Sequence, residues 1–167
     1  HKISNKTGII FFQNKTCCLD VFFKSLLPYV RKCNQKRIKF IIPCSLYWAN
    51  KYSPFGVFFD KKYRGINNHL HLNILKKKFF LATKIHSINE AIQAKKYFDF
   101  IFISPTFNTR SHPNQKPLSN YIFISLCFFF EEKVVFALGG VNKKNFKIKK
   151  NRNLHGFGAI SYFKEKK

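Results

Sequence analysis

Residues Ile101–Leu118 read IFISPTFNTRSHPNQKPL, an apolar strand that runs directly into a long polar loop. A loop of this length inside a compact domain is uncommon unless it works on a ligand. The hydroxyl groups of Thr109 and Ser111 donate hydrogen bonds, and Arg110 and Lys116 carry positive charge. The loop therefore suits an anionic ligand held beyond the end of a strand.

Short apolar runs of this kind recur along the chain and alternate with helix-length polar segments. Most are continuous rather than alternating, which is typical of parallel strands that are covered on both faces. The predicted strands are Gly8–Phe12, Ile38–Ile42, Phe55–Phe59, Phe79–Thr83, Phe98–Ile103, Val134–Leu138 and Gly156–Ile160.

Helix signals lie between several of these strands. Ser87 is an N-cap residue with Glu90 three positions later, a spacing that predicts a capping box and a helix over Ser87–Tyr97. Further helices are predicted over Leu19–Asn34, with Val21, Phe22, Leu26 and Tyr29 near helical spacing and Pro28 weakening the middle, and over Asn142–Lys150. Asn120–Phe130 fits a helix or a strand, and Gly65–Lys78 is undetermined.

The alternation of strands and helices indicates an α/β protein, either an open doubly wound sheet or a closed barrel. An open dinucleotide-binding sheet usually carries G-x-G-x-x-G after its first strand, and the chain has no such motif. We therefore expect a TIM (β/α)8 barrel, N-terminally truncated to about seven β/α units, with residues 1–167 as a single domain. The missing strand is expected ahead of His1.

The net charge of +24 raises the alternative of a basic nucleic-acid-binding protein. Lys and Arg recur along the whole chain, however, and do not form one basic arm. Lys, Asn, Ile and Phe are abundant while Ala and Gly are scarce, a slant typical of AT-rich coding sequence. We therefore expect no specific nucleic-acid partner, and small phosphorylated molecules would also gain from such a field.

The five cysteines include no C-x-x-C pair, so neither a disulfide framework nor a zinc ribbon is indicated. This favours a reducing compartment, and we expect a cytoplasmic protein. The longest apolar run, Tyr121–Phe130, is about half of the roughly twenty residues that a membrane span needs. No membrane association is expected, and a homo-oligomer stays open.

Glycines accompany the last two predicted strands in a pattern that suits phosphate: a Gly pair follows Val134–Leu138, and the strand from Gly156 to Ile160 leads to Ser161. Val135–Val141 reads VFALGGV and precedes a helix, and Gly156–Ser161 reads GFGAIS. In a TIM barrel, phosphate binds at the loops after strands seven and eight, where glycine backbone N–H groups approach the anion and a helix start adds a favourable dipole.

These motifs together resemble the thiamine phosphate synthase/TenI family of TIM barrels. The matching segments are His86–Ala91, Asp99–Thr109, Ala137–Val141 and Gly156–Ser161, and the variant SPTFNTRSHP is similar to a divergent proteobacterial branch. The resemblance implies an enzyme of thiamine biosynthesis, a thiamine-phosphate diphosphorylase-like transferase. Such enzymes join hydroxymethylpyrimidine diphosphate to thiazole phosphate and release pyrophosphate with Mg²⁺ assistance.

The resemblance also implies roles for particular residues. Phosphate binding is expected from the backbone and hydroxyl groups of Gly139, Gly140, Ile160, Ser161, Thr109 and Ser111. Catalytic roles on departing pyrophosphate are expected for Arg110, His112 and Lys84, with Lys116 as a further cation. His86 matches a family histidine and is expected to act structurally at the start of its helix.

The first part of the chain departs from the family pattern. Phe12 stands where the family has a diphosphate-binding Arg, and Pro43–Ser45 stands where it has Asn-Asp for magnesium. Asp60 is the nearest second carboxylate, so no metal ligand is assigned. These departures keep two alternatives open: a non-catalytic phosphate-binding paralogue, and a TenI-like thiazole tautomerase in which His112 would act.

Overall fold

The structure is a computed structural model that describes residues 7–13, 18–60, 69–109 and 115–159. The chain forms two compact units, residues 1–81 and residues 82–167. Within the described ranges the strands are β1 (Ile9–Ile10), β2 (Phe40–Pro43), β3 (Gly56–Phe59), β4 (Phe80–Ile85), β5 (Phe100–Ile103), β6 (Val134–Leu138) and β7 (Leu154–Gly158). The helices are α1 (Leu19–Gln35), α2 (Leu46–Tyr52), α3 (His69–Lys76), α4 (Ile88–Lys95), α5 (Asn120–Phe129) and α6 (Lys143–Lys149).

The first unit contains three parallel strands in chain order. Ile9 pairs with Phe40 between β1 and β2, and Ile42 pairs with Val57 between β2 and β3. Helices α1, α2 and α3 alternate with these strands. The Phe80 N–H, at the start of β4, donates to the Phe55 carbonyl at 3.3 Å, and β4 continues into the second unit.

Aromatic packing joins α1 to α2 in the first unit. The Phe23 ring stacks on Trp48 at 5.4 Å between centroids, and the buried Tyr52 hydroxyl donates to the Phe23 carbonyl at 2.6 Å. The Trp48 indole N–H donates to Asp20 at 3.3 Å. Buried aromatic side chains of this size each contribute about 1.5–3 kcal/mol through removal from water, so this cluster anchors both helices.

The second unit continues the same architecture with four parallel strands, β4 to β7, again in chain order. One sheet face carries the fully buried side chains Ile101, Ile103, Val135 and Ala137. The other face carries stacked aromatic rings, with Phe102 and Phe136 at 5.2 Å between centroids. Both faces are therefore apolar, as the continuous runs predicted.

The structure confirms the alternation of parallel strands and helices, with shifts at several boundaries. Strand β1 is two residues long where five were predicted, and β7 begins at Leu154 rather than Gly156. The ambiguous segment forms helix α5, and the undetermined one contains α3. Within the described part of the chain, no helix combines the length and apolarity needed to cross a bilayer.

Helix α2 was missed, because its seven residues lie in a segment that carries few periodic signals. Its signature is the N-cap Ser45, whose hydroxyl accepts from the Trp48 N–H, followed by the buried residues Trp48, Ala49 and Tyr52. Helix α1 continues past Pro28, which lies on its exposed face. That position avoids any clash of the proline ring with the core.

Candidate functional site

Four strand ends of the second unit lie in register at the same edge of the sheet. Ile85 of β4 pairs with Ile103 of β5, which pairs with Ala137 of β6, which pairs with Phe157 of β7. Because the strands are parallel, the residues that follow them emerge together. Polar and glycine residues follow each of them, so this edge is the candidate site.

The turn after β6, Gly139–Gly140, has a backbone that only glycine adopts without strain; we call it the glycine turn. Gly139 has φ +87° and Gly140 has φ +66°. A Cβ on Gly140 would overlap the Asn108 carbonyl oxygen and lie 2.9 Å from the Phe107 carbonyl oxygen. The sequence thus encodes both a left-handed turn and a close approach to the loop after β5.

The carbonyl groups of the glycine turn are occupied by protein donors. The Gly139 carbonyl accepts from the Phe107 N–H at 3.1 Å, and the Gly140 carbonyl accepts from Asn145 Nδ2 at 2.8 Å. Among the described residues, no acceptor lies against the N–H groups of Gly140 and Val141. The turn is therefore fixed by its carbonyls, while the N–H groups of Gly140 and of Val141, the residue after the turn, are available to an anion.

Helix α6, which follows the glycine turn, uses its first N–H groups internally. The Asn142 side chain accepts from Lys144 and Asn145 N–H at 2.9 and 3.0 Å, and Asn145 Oδ1 accepts from the Asn142 N–H at 2.8 Å. This reciprocal capping box occupies the first N–H groups of the helix, so direct donors to a phosphate would come from the glycine turn. The favourable dipole expected from the helix start stays a prediction. Asn145 was missed from the sequence, although the Asn-x-x-Asn spacing was its signal.

The loop after β5 packs against the glycine turn. It begins with a cis Ser104–Pro105 peptide, and the Thr106 N–H donates to the Leu138 carbonyl at 2.9 Å. The Leu118 N–H donates to the Pro105 carbonyl at 3.0 Å, which brings the two ends of the loop together. Thr109, half-buried, follows Asn108 at the glycine turn. Arg110, Ser111 and His112 lie outside the described residues.

Lys84 belongs to the sheet face that carries the aromatic rings. It pairs with Phe102 in β5, and Phe102 pairs with Phe136 in β6. Lys84 is half-buried and lies two residues before His86, so its side chain starts near the strand-end edge. Its role as a cation facing an anionic ligand stays a prediction.

Ile160 and Ser161 lie outside the described residues, but the chain that leads to them is described. Leu138 pairs with Gly158, so the end of β7 lies beside the end of β6, directly before the glycine turn. A Cβ on Gly158 would lie 3.0 Å from the Leu138 side chain. The two glycine-bearing strand ends are therefore neighbours.

The first unit was tested for a magnesium site at the ends of β2 and β3. Burial raises the pKa of Cys44 to about 12, so its thiol stays protonated at neutral pH. The Ser45 hydroxyl caps α2, and Asp60 follows β3. Within the described ranges no three His, Cys, Asp or Glu side chains form a metal-binding group. Because magnesium prefers carboxylate and other hard oxygen ligands, these residues do not fit a dedicated Mg²⁺ site.

Phe12 was expected where the family has an arginine, and the structure places it after β1. Its ring makes an edge contact with Phe58 at 5.1 Å between centroids and is 41% exposed. An apolar ring in this position cannot pair with a diphosphate. At this position the first unit therefore lacks the cation that the family pattern has.

Parallel β/α units in chain order, with a glycine turn after one of the strand ends, define an α/β protein of the TIM-like class. The family model described as thiamine monophosphate synthase (TMP-TENI) matches residues 2–163. The chain belongs to this family, which confirms the resemblance found in the sequence.

Individual relatives agree with this assignment. The chain is 34% identical over 91 residues to a putative thiamine-phosphate synthase 2 of Aquifex aeolicus, a match that covers 52% of this chain and 47% of that protein. The chain thus matches about half the length of that curated relative.

The thiamine phosphate pyrophosphorylase of Pyrococcus furiosus superposes with a TM-score of 0.67 at 16% identity, over 89% of this chain and 70% of that one. The enzyme of the same name from Bacteroides thetaiotaomicron gives a TM-score of 0.58 at 16% identity, over 92% and 69%. These likenesses confirm the predicted barrel-type α/β fold.

Proposed function

We propose that this protein acts in thiamine biosynthesis as a thiamine-phosphate synthase. It would couple hydroxymethylpyrimidine diphosphate to thiazole phosphate, with the new bond forming as the bond to pyrophosphate breaks. The glycine turn carries this proposal, because its N–H groups suit the thiazole phosphate. The substrates would be small phosphorylated molecules, and the reaction would take place in the cytoplasm.

The expected phosphate-binding set extends beyond the glycine turn. Ile160 and Ser161 would add a backbone amide and a hydroxyl from the adjacent strand end. Thr109 and Ser111 would add hydroxyls from the loop after β5. Support for this grouping comes from the pairing of Leu138 with Gly158 and from the contact of Asn108 with the glycine turn.

Stabilisation of departing pyrophosphate would fall to cations near the same edge. Lys84 on β4 and Lys116 near the end of the loop are described, and Arg110 and His112 belong to the same loop. Fixed positive charge aimed at a developing anion is often the largest single contribution to catalysis of this type. His112 would act as a cation only when protonated, which makes its contribution pH-dependent.

A non-catalytic phosphate-binding paralogue is the second candidate. Two observations in the first unit favour it: the ends of β2 and β3 do not fit Mg²⁺, and Phe12 replaces an anion-binding arginine. Such a protein would bind thiamine phosphate or thiazole phosphate through the glycine turn without turnover.

A coupled assay from both phosphorylated precursors, with and without Mg²⁺, tests the proposal. Chromatography would follow thiamine phosphate, and calorimetry with thiamine phosphate would measure binding in parallel. Product formation supports the synthase, and binding without product supports the paralogue. If the assay yields no product and calorimetry detects no binding, the phosphate site itself is contradicted. The variant Gly140→Ala, which alters the glycine turn, should weaken binding in both measurements. Gly156→Ala is its matched control, because a Cβ there would meet only the Phe136 ring.

A further inference from the structure

The His86 side chain makes a contact that local sequence patterns do not predict. Its Nδ1 lies 2.7 Å from the carbonyl oxygen of Ser104, which is eighteen residues later and follows β5. A carbonyl oxygen only accepts, so Nδ1 carries the proton and the tautomer is fixed. Gln115 Nε2 lies 3.3 Å from the same Nδ1 atom, and because both nitrogens then carry protons this approach is not a hydrogen bond.

The backbone around His86 is held in place as well. The His86 N–H donates to Glu90 Oε2 at 2.8 Å, and the Ser87 hydroxyl accepts from the Glu90 N–H at 3.3 Å. The neighbouring Ile85 carbonyl accepts from the Ser104 N–H at 3.0 Å. Ser104 is thus hydrogen-bonded to the end of β4 on both sides: its N–H donates to Ile85, and its carbonyl accepts from His86.

From Ser104 the contacts continue to the glycine turn. A Cβ on Gly139 would lie 3.2 Å from Pro105 Cα and 3.3 Å from Ser104 Oγ, so this segment packs directly under the turn. The Thr106 N–H donates to the Leu138 carbonyl, and the Phe107 N–H donates to the Gly139 carbonyl. An unbroken path of hydrogen bonds and packing therefore joins His86 to Gly139.

We propose that His86 is a positioning residue for the phosphate site, acting through Nδ1. Its bond to Ser104 fixes the segment on which the glycine turn rests. The Leu118 N–H donates to Pro105 in the same segment, so the end of the loop after β5 depends on it as well. This inference rests on the proposed phosphate binding at the glycine turn. It assigns His86 a role beyond the start of α4.

Two substitutions distinguish the role of Nδ1 from that of Nε2 in the His86 ring. His86→Asn places an amide nitrogen where Nδ1 lies and retains the donor to Ser104. His86→Gln places its amide near the position of Nε2 and removes that donor. Affinity for inorganic phosphate and for thiamine phosphate is measured by calorimetry on the full chain, and thermal unfolding checks that each variant is folded. Hydrogen exchange of the Leu118 N–H, without ligand, reports on the base of the loop.

We expect His86→Gln to weaken phosphate binding by about tenfold, the scale of one lost hydrogen bond to a positioned group. His86→Asn should stay within about threefold of wild type. Leu118 exchange should accelerate in His86→Gln alone. Equal phosphate affinity in the two variants would overturn the inference. So would weakened binding in His86→Asn together with wild-type binding in His86→Gln. If wild type binds no phosphate, the proposed function fails; unchanged Leu118 exchange in His86→Gln would then independently refute the positioning role.

Discussion

Gly140→Ala is the most direct test of the glycine turn, and its cost follows from two features of the structure. A non-glycine residue at φ +66° costs about 1–2 kcal/mol. The added Cβ also collides with the Asn108 and Phe107 carbonyl oxygens, which are backbone atoms and move only with the loop. Overpacking of this kind costs about 1–3 kcal/mol, and reduced freedom of the unfolded chain returns about 0.4–1 kcal/mol.

The expected net loss in the free energy of unfolding is about 1–4 kcal/mol. For a chain of this size, each kcal/mol lowers Tm by about 2–4 °C, so the variant should melt several degrees below wild type. Urea unfolding gives the free energy, and calorimetry with inorganic phosphate should show weakened binding in the same variant. Gly156→Ala, which meets a movable Phe136 ring at 3.1 Å, should lose less stability and keep phosphate affinity. Wild-type stability and affinity in Gly140→Ala would refute the assigned turn geometry.

Three further predictions concern single side chains. Burial raises the pKa of Cys44 from 9.0 to about 12, so the thiol of the unfolded chain ionises first as pH rises. Between pH 8 and pH 10, the free energy of unfolding in urea should fall by about 1.4 kcal/mol more in wild type than in Cys44→Ala. An equal pH dependence in the two proteins would contradict this. Asn145→Asp keeps an acceptor for the Asn142 N–H but removes the donor to the Gly140 carbonyl. The free energy of unfolding should fall by about 1 kcal/mol, and calorimetry should show weaker phosphate binding. Unchanged affinity would show that this contact does not shape the site. Ser87→Ala removes the α4 cap and should cost about 1 kcal/mol in urea unfolding, whereas an unchanged midpoint would refute the capping role.

Local signals predicted those parts of the fold that local chemistry controls. The Ser87 hydroxyl caps α4 as expected, although the Glu90 carboxylate accepts from the His86 N–H instead of completing the predicted capping box, and β6 has the predicted bounds. The glycine pair after β6 adopts the positive φ values that glycine permits. In each case, the residues that determine the structure are close together in the chain.

The apolar residues that indicated helix α1 coincide only in Leu26 with the face that the helix buries. Val21 and Tyr29 are each 59% exposed, whereas the buried stripe is Phe23, Leu26, Val30 and Cys33. Apolar residues lie all around this helix, so periodicity alone does not choose a face. The contact of Phe23 with Trp48, twenty-five residues away in the chain, determines which face of α1 is buried.

The site was predictable where glycines and strand ends mark it, but the contacts that hold it are non-local. His86 meets Ser104 across two strand ends, and Phe107 meets Gly139 across two more. Neither pair follows from spacing, because each depends on the register of parallel strands. The departures at Phe12 and Cys44 were visible in the sequence, and the structure adds their physical meaning: an exposed ring and a protonated buried thiol.

The central claim is that N–H groups of the glycine turn bind a phosphoryl group. Amide NMR of 15N-labelled protein, titrated with inorganic phosphate and then with thiamine phosphate, measures this directly. We predict saturable shifts that are largest at Gly140 and Val141 and that disappear in Gly140→Ala. Shifts that spread over the surface lysines, with the Gly140 and Val141 amides unchanged, would contradict it.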